Sequence, residues 1–464
     1  MGAPPWRLLQ RVLGAPAPPL PLHLPAHGRG RALAPGLRQL LRQPPGRWDL
    51  PELPGFGGPL EDEGAVAEAQ RRCAELFGVD HLWFGVNGAS GLLQAALLAL
   101  APPGGSVLLP RNLHRSLLHA CVLGDLQPLL YDLPFDPATG LWRPCEADRL
   151  RRVLQQAGPV AALVLVDPTY QGLRAELAEL VALAHGASGP AGRGLPVLVD
   201  QAHGCGEAVA AGADLVVLSL QKAAGGLAQS AALLARGPRV DPEALQRSLL
   251  WLQTSSPSAL LLASTAAAIE QLHSAAGRRQ RRRAEGRAAR LRQRLQDCGL
   301  SPLPGTDPLR LVLPTAPLGF SGQEVDDWLL QRGVVAELPE PGALTFCLGL
   351  DPPAGLERRL PAVLLELRRQ RGGPPLPPWP APPLPLLARL AWAPGRAWRA
   401  AAELVPLAEA CGRIAARPIC PYPPGIPLLV PGERIDAGRL EWLETQRQRW
   451  PEAIADTVSV VAGS

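Results

Sequence analysis

Between residues 76 and 275, short apolar runs alternate with stretches of helical periodicity, and few architectures accept that alternation. Runs at 84–86, 106–109, 129–131, 161–166, 196–199 and 215–218 read as strands. Stretches at 91–100, 113–122, 147–156 and 175–185 read as helices. Strand, helix and strand in succession is the unit of a mostly parallel sheet with helices on both faces, so the predicted class is α/β.

Length sets the number of domains. A chain of 464 residues exceeds one ordinary domain and implies two or three. From about residue 276 the character changes. A long Arg/Ala helix is followed by a strand-like 309–313, a helix-like 322–332 and a strand-like 344–348, which together predict a small α+β domain. A proline-rich segment at 372–385 then leads into a last region. It reads as a plain spacer in preference to a polyproline ligand for a partner. The expected division is an N-terminal arm at 1–50, a large domain at 51–275, the small domain at 276–370, and a linker with a C-terminal domain at 371–464.

Charge and cysteine narrow the function classes. The formal charge is +5, mostly from scattered arginine, with one run at Arg278-Arg279-Gln280-Arg281-Arg282-Arg283. Arg287, Arg290, Arg292 and Arg294 continue that run with Ala and Leu between, which reads as the solvated face of a helix and not as a nucleic-acid patch. The eight cysteines are dispersed with no C-x-x-C pair, so neither a metal site nor a disulfide framework is indicated, and a reducing cytoplasm is expected. Apolar runs such as 92–100 fall short of the roughly 20 residues of a membrane span. The first 48 residues hold arginines and no acid, as in a transit peptide, but they are proline-rich without serine and read as mature chain.

Of the 46 lysines plus arginines, a single one is lysine, Lys222. A position that resists replacement by arginine needs what guanidinium lacks: an amine that can deprotonate and form an imine. Lys222 follows the apolar run Leu215-Val216-Val217-Leu218-Ser219 and precedes Gly225-Gly226, so it lies just past the carboxyl end of a strand, where open α/β sheets place ligands. Asp200 ends another apolar run, Pro196-Val197-Leu198-Val199. Its carboxylate suits the pyridinium of pyridoxal phosphate, or else a helix N-cap. Asn87-Gly88-Ala89-Ser90-Gly91 opens a helix after a strand and fits a cofactor phosphate or a plain cap. His114, after a further strand, fits a ring-stacking role or a structural one.

These motifs, with others spread along the chain, resemble the bacterial ornithine/lysine/arginine decarboxylases in their shorter, arginine-decarboxylase-like form. The similarity includes His23-Leu24-Pro25-Ala26-His27-Gly28, Glu52-Leu53-Pro54-Gly55, Val86-Asn87-Gly88-Ala89-Ser90, Arg111-Asn112-Leu113-His114-Arg115-Ser116 and Asp167-Pro168-Thr169-Tyr170-Gln171-Gly172. It continues through Asp200-Gln201-Ala202-His203-Gly204, Ser219-Leu220-Gln221-Lys222, Leu252-Gln253-Thr254-Ser255-Ser256, Cys411-Gly412-Arg413-Ile414, Pro421-Tyr422-Pro423-Pro424-Gly425 and Pro431-Gly432-Glu433. The resemblance implies the aspartate-aminotransferase-like fold and pyridoxal 5′-phosphate. Lys222 would carry the cofactor, Asp200 would pair with its ring nitrogen and His114 would stack on the ring. Ala89, Ser90, Ser219 and Gln221 would lie toward the phosphate, Ala202 and His203 would line the site, and Thr254 and Ser255 would reach the phosphate of a neighbouring subunit.

The activity so implied is decarboxylation of arginine, lysine or ornithine in polyamine metabolism by a cytoplasmic homodimer or larger homo-oligomer. Glu433 is a candidate partner for the substrate's distal cation. This sequence departs from the family at Gln221, where the family has histidine, at Gln201 for glutamate, at Ala26 for glycine, and in a shorter stretch between His203 and Ala213. Those departures keep two alternatives in view: another reaction on the same fold, such as aminotransfer or aldol cleavage, and a cofactor-binding homologue with impaired catalysis.

Overall fold

The structure, a computed structural model, describes residues 7–15, 17–51, 53–421, 425–450 and 453–464. Glu52 and Tyr422-Pro423-Pro424 of the quoted motifs lie outside the described residues. The centre is an eight-stranded sheet. Its strands are β1 (His81–Gly85), β2 (Ser106–Pro110), β3 (Gln127–Tyr131), β4 (Ala162–Val166), β5 (Val197–Gln201), β6 (Leu215–Ser219), β7 (Ala231–Ala235) and an edge strand, Leu387–Arg389. From that edge the order is β3, β2, β4, β5, β6, β7, β1.

Strands β3, β2, β4, β5 and β6 run parallel, while β7 is antiparallel to both β6 and β1. Burial explains why these segments are strands. Leu215, Val217, Leu198, Val164 and Leu109 pack into one apolar core, and Val216, Leu218, Val199 and Leu165 into a second. Successive side chains thus enter opposite cores, as a pleated strand covered on both faces requires. Each fully buried Leu or Val of this kind contributes roughly 1.5–3 kcal/mol.

Helices α1 (Gly88–Leu100), α2 (Arg115–Leu123), α3 (Ala147–Ala157) and α4 (Leu177–Gly186) cross between strands, as the alternation predicts. A short α5 (Leu220–Ala223) follows β6, and α6 (Pro242–Leu252) follows β7. Because β2, β4, β5 and β6 are parallel, their carboxyl ends share one edge of the sheet, and the turns that leave them converge there.

A second sheet holds β8 (Arg310–Pro314), β9 (Leu338–Pro339) and β10 (Ala343–Cys347) in the order β8-β10-β9, with its own apolar core. The N-terminal segment is sewn to it. Leu20–Pro21 pairs in parallel with Val334–Val335, the Leu22 carbonyl accepts the Cys347 N–H at 2.8 Å, and Leu20 and Leu22 are buried.

Two expectations change. The Arg/Ala helix α7 (Ala275–Asp297) is not simply a solvated face. Arg278, Arg279, Arg282 and Arg283 are exposed, but Arg281 reaches Glu285 and Asp307, and Arg287 pairs with Glu357 at 2.9 Å. Long arginine stems let charged heads reach buried acids from a polar helix. The proline-rich segment is not a loose spacer either. Trp379 is buried and stacks on Trp450 at 5.0 Å, and the strand just beyond it, Leu387–Arg389, pairs with β3. Among the described residues, no helix is long and apolar enough to cross a membrane.

Candidate active site at the carboxyl edge of the sheet

Lys222 sits in α5, one turn beyond β6, with Ser219 buried at the strand end as the residue preceding the helix. The short helix is held from above by the N-terminal segment: the Ala26 N–H donates to the Gln221 carbonyl at 2.8 Å. Gly225, at φ 74°, lets Ala32 approach, since a Cβ there would stand 2.9 Å from the Ala32 carbonyl oxygen.

Lys222 Nζ lies 3.1 Å from His203 Nε2, and Arg310 donates to His203 Nδ1 at 2.9 Å. Arginine only donates, so Nδ1 of this imidazole is the unprotonated nitrogen. The neutral ring therefore carries its proton on Nε2, the nitrogen that faces Lys222 Nζ. The electrostatics agree. Burial, then Lys222, Arg310 and His114, hold the His203 imidazole well below its ordinary range. Burial lowers the Lys222 ammonium, with Asp200 opposing and Arg310 adding. Tyr170 closes one side: its ring centroid is 4.5 Å from that of His203 and 5.7 Å from Lys222 Nζ.

Asp200, buried at the penultimate position of β5, accepts the Ala202 N–H at 3.1 Å. Its charge acts on both Lys222 and His114, opposing the burial that depresses each. His114 caps α2: its Nδ1 accepts the Ser116 N–H at 3.3 Å, which leaves Nε2 to carry the proton of the neutral ring. Ala89 and Ser90 form the first turn of α1, which has no side-chain cap, because Asn87 instead donates to the Leu252 carbonyl at 2.7 Å. That same bond draws the end of α6, and the exposed Thr254 and Ser255 beyond it, toward the α1 turn.

The structure thus gathers Lys222, His203, Asp200, Ala202, His114, Ser219 and the α1 turn at one edge. Sequence reasoning missed Arg310, Glu337 and Cys347. Arg310 is buried, bonds to His203 and Cys347, leaves Nε unpartnered, and has no acid partner among the described residues. No local signal marks it, because it arrives from β8 of the other sheet.

Glu433 is a correction. It is buried and accepts from Arg111 at 2.6 and 2.8 Å, from Arg439 at 2.8 Å and from the Val430 N–H at 2.9 Å. Its lone pairs are taken, so it is not available to a substrate cation.

A mostly parallel sheet with a buried, deprotonable lysine and a strand-end carboxylate on its carboxyl edge defines the aspartate-aminotransferase-like class, fold-type I of the pyridoxal-phosphate folds. Residues 22–308 match the Orn/Lys/Arg decarboxylase major domain, and residues 388–451 match the Orn/Lys/Arg decarboxylase C-terminal domain. The chain belongs to the Orn/Lys/Arg decarboxylase family.

It is 31% identical to an arginine decarboxylase of Bacillus subtilis (strain 168) over 454 residues, covering 92% of this chain and 90% of that one. It is 30% identical to an arginine decarboxylase of Halalkalibacterium halodurans over 464 residues, covering 92% and 90%. Among solved structures, lysine decarboxylase A from Pseudomonas aeruginosa superposes with a TM-score of 0.74 at 19% identity, covering 98% of this chain and 79% of that one.

Proposed function

We propose that this chain decarboxylates a basic amino acid with pyridoxal 5′-phosphate as its cofactor. The observation that carries the proposal is Lys222, the single lysine, buried against His203 with Arg310 behind it, where burial lowers its ammonium. The residues present fit the cofactor. The uncapped first turn of α1 offers the N–H groups of Ala89 and Ser90 to a phosphate. Ser219 and Gln221 flank that end of the site, and Thr254 and Ser255 lie on the exposed segment that would meet a second subunit. The unpartnered Nε of buried Arg310 calls for an anionic oxygen that the chain itself does not supply.

When bound, the cofactor supplies an electron sink for the pair left behind as CO2 departs. Asp200 would offer its carboxylate to a ring nitrogen of the cofactor. His114 offers its flat ring as a wall, with Ala202 and His203 completing the lining. His203 Nε2 positions the Lys222 nitrogen, and Arg310 keeps a second proton off that imidazole. The Lys222 amine would be a candidate to deliver the proton that replaces CO2 at the substrate Cα.

Arginine is the substrate favoured by the names of the 30% and 31% identical relatives. A product amine of polyamine metabolism, a cytoplasmic location and a homodimer with shared sites complete the reading. The test is spectroscopic and chemical. The purified protein should be yellow, borohydride should abolish the band, and peptide mapping should place the label on Lys222. CO2 and amine should be released from arginine, lysine or ornithine. No band after adding the cofactor, or a Lys222→Ala variant that keeps it, would sink the proposal. A band without CO2 release would favour the impaired homologue.

A further inference from the structure

We propose that the apolar cavity between the proline-rich segment and the C-terminal domain is a binding site for a neutral, flat, fused-ring molecule that carries a cyclic amide, held through Gln446. The site lies apart from Lys222 and does not depend on the reaction assigned above.

The cavity encloses about 530 Å3 of empty space, part of it open to solvent, within the range of about 300–1,000 Å3 that small-molecule sites occupy. Three parts of the chain wall it. Phe135 and Trp142 come from the segment after β3, Trp379 from the proline-rich segment, and Trp442, Gln446 and Trp450 from the helix Ala437–Arg449 and its end. Among the described residues, it shares no lining residue with the cavity that holds His203, Lys222 and Arg310.

Aromatic faces set the shape of an occupant. Trp379 and Trp450 stack with centroids 5.0 Å apart and planes 20° apart, and Phe135 meets Trp142 edge to face at 5.5 Å. The Trp442 N–H is taken by the Pro380 carbonyl at 3.0 Å, which fixes that ring as a wall. Indole and phenyl faces favour a flat ring laid against them. Charge is excluded. Among the described residues, no Asp, Glu, Lys, Arg or His lines the cavity, and an ion entering it would lose its water with no counter-charge in return.

Polarity comes from one group. Gln446 is 3% exposed, its Nε2 is buried without a partner, and no hydrogen bond reaches its Oε1 among the described residues. A buried amide left unmatched is costly unless something supplies its bonds. The indole N–H of Trp379 is also unpartnered, but that edge faces Gly342, where a Cβ would stand 3.0 Å from Nε1, so close packing accounts for it. Recognition therefore falls to Gln446. An amide carries a donor and an acceptor side by side. Its complement is a ring N–H beside a carbonyl, a cis-lactam, which pairs with Gln446 whichever way the amide is turned. Flatness, neutrality and the lactam edge are each set by a separate part of this lining.

The test uses the full chain with its cofactor and two probes, carbostyril and N-methylcarbostyril, which share the fused rings and differ in the lactam N–H. In calorimetry the wild type should bind one carbostyril per chain, and N-methylation should weaken binding about tenfold, the scale of one hydrogen bond. Gln446→Leu, which keeps the bulk and removes the amide, should bind the two probes equally. If Gln446→Leu does not fold, Gln446→Met, of similar length and also without an amide, makes the same comparison. Lys222→Ala should bind carbostyril as the wild type does, because Lys222 is not part of this cavity. No binding of carbostyril, equal affinity of the two probes for the wild type, or a preference that survives loss of the Gln446 amide overturns the proposal. So does loss of binding in Lys222→Ala, which would place the probe at the edge of the large sheet instead.

Discussion

Glu340 allows a quantitative forecast. Its Oε1 accepts from Gln171 at 2.7 Å and its Oε2 lies 3.3 Å from the Thr345 hydroxyl, with no cation paired to it among the described residues. Burial raises its carboxyl from 4.5 to about 8. The unfolded chain therefore releases this proton near its ordinary pKa, while the folded chain keeps it until about pH 8. The stability that the neutral form contributes is fully present below the unfolded pKa and is lost as pH rises through the folded one. At 1.36 kcal/mol per unit, folding at pH 7 is penalised by on the order of 3 kcal/mol. Glutamine copies the protonated form: its carbonyl accepts from Gln171, its amide donates to Thr345, and it does not titrate. Glu340→Gln should therefore unfold at higher urea than the wild type at pH 7. The advantage should shrink to about 1 kcal/mol at pH 5 and should grow by roughly 3 kcal/mol between pH 5 and pH 8. A stability difference that is constant across that range would refute the reasoning.

Other outcomes can be checked alongside it. Glu433→Ala leaves Arg111 buried without a counter-charge, while Arg439 keeps Asp436, and should cost about 3–5 kcal/mol in urea unfolding; a loss near zero would mean that the Arg111 guanidinium reaches water. Gln221→His should tighten cofactor binding by about 1 kcal/mol, more so as pH falls toward about 6, in a cofactor titration of both forms. Equal affinity at every pH would show that Gln221 is fully compensated. The exposed Thr254 segment beside the α1 turn should be covered in a symmetric dimer or larger homo-oligomer, so sedimentation at micromolar concentration should return at least twice the chain mass; a fully active monomer would contradict the shared site.

Much of the large sheet was legible because its strands are runs of Leu and Val, whose burial on both faces leaves a plain apolar signature. β7 was not, because Ala231–Ala235 is rich in alanine, a poor strand former, and takes its conformation from β6 and β1 on either side. The edge strand Leu387–Arg389 is too short to show a period. At the site, Lys222 and Asp200 could be read because each ends an apolar run, so the residue and its place in the sheet come from the same stretch. Arg310 and Glu337 come from the second sheet and reach Lys222 only through packing across the cleft, which no local pattern records. Glu433 was misread because an acid in a motif looks the same whether it is free or clamped between two arginines.

The buried lysine has a consequence for handling the protein. Apart from the chain's amino terminus, Lys222 is its sole primary amine, so any acylating or alkylating reagent directed at lysine has one side-chain target. That target is screened by Tyr170, His203 and the N-terminal segment. A lysine-specific protease has one place to cut, and only in a chain that has opened. Loss of amine reactivity and of that single cleavage would therefore report, without any substrate, how tightly the edge of the sheet is closed.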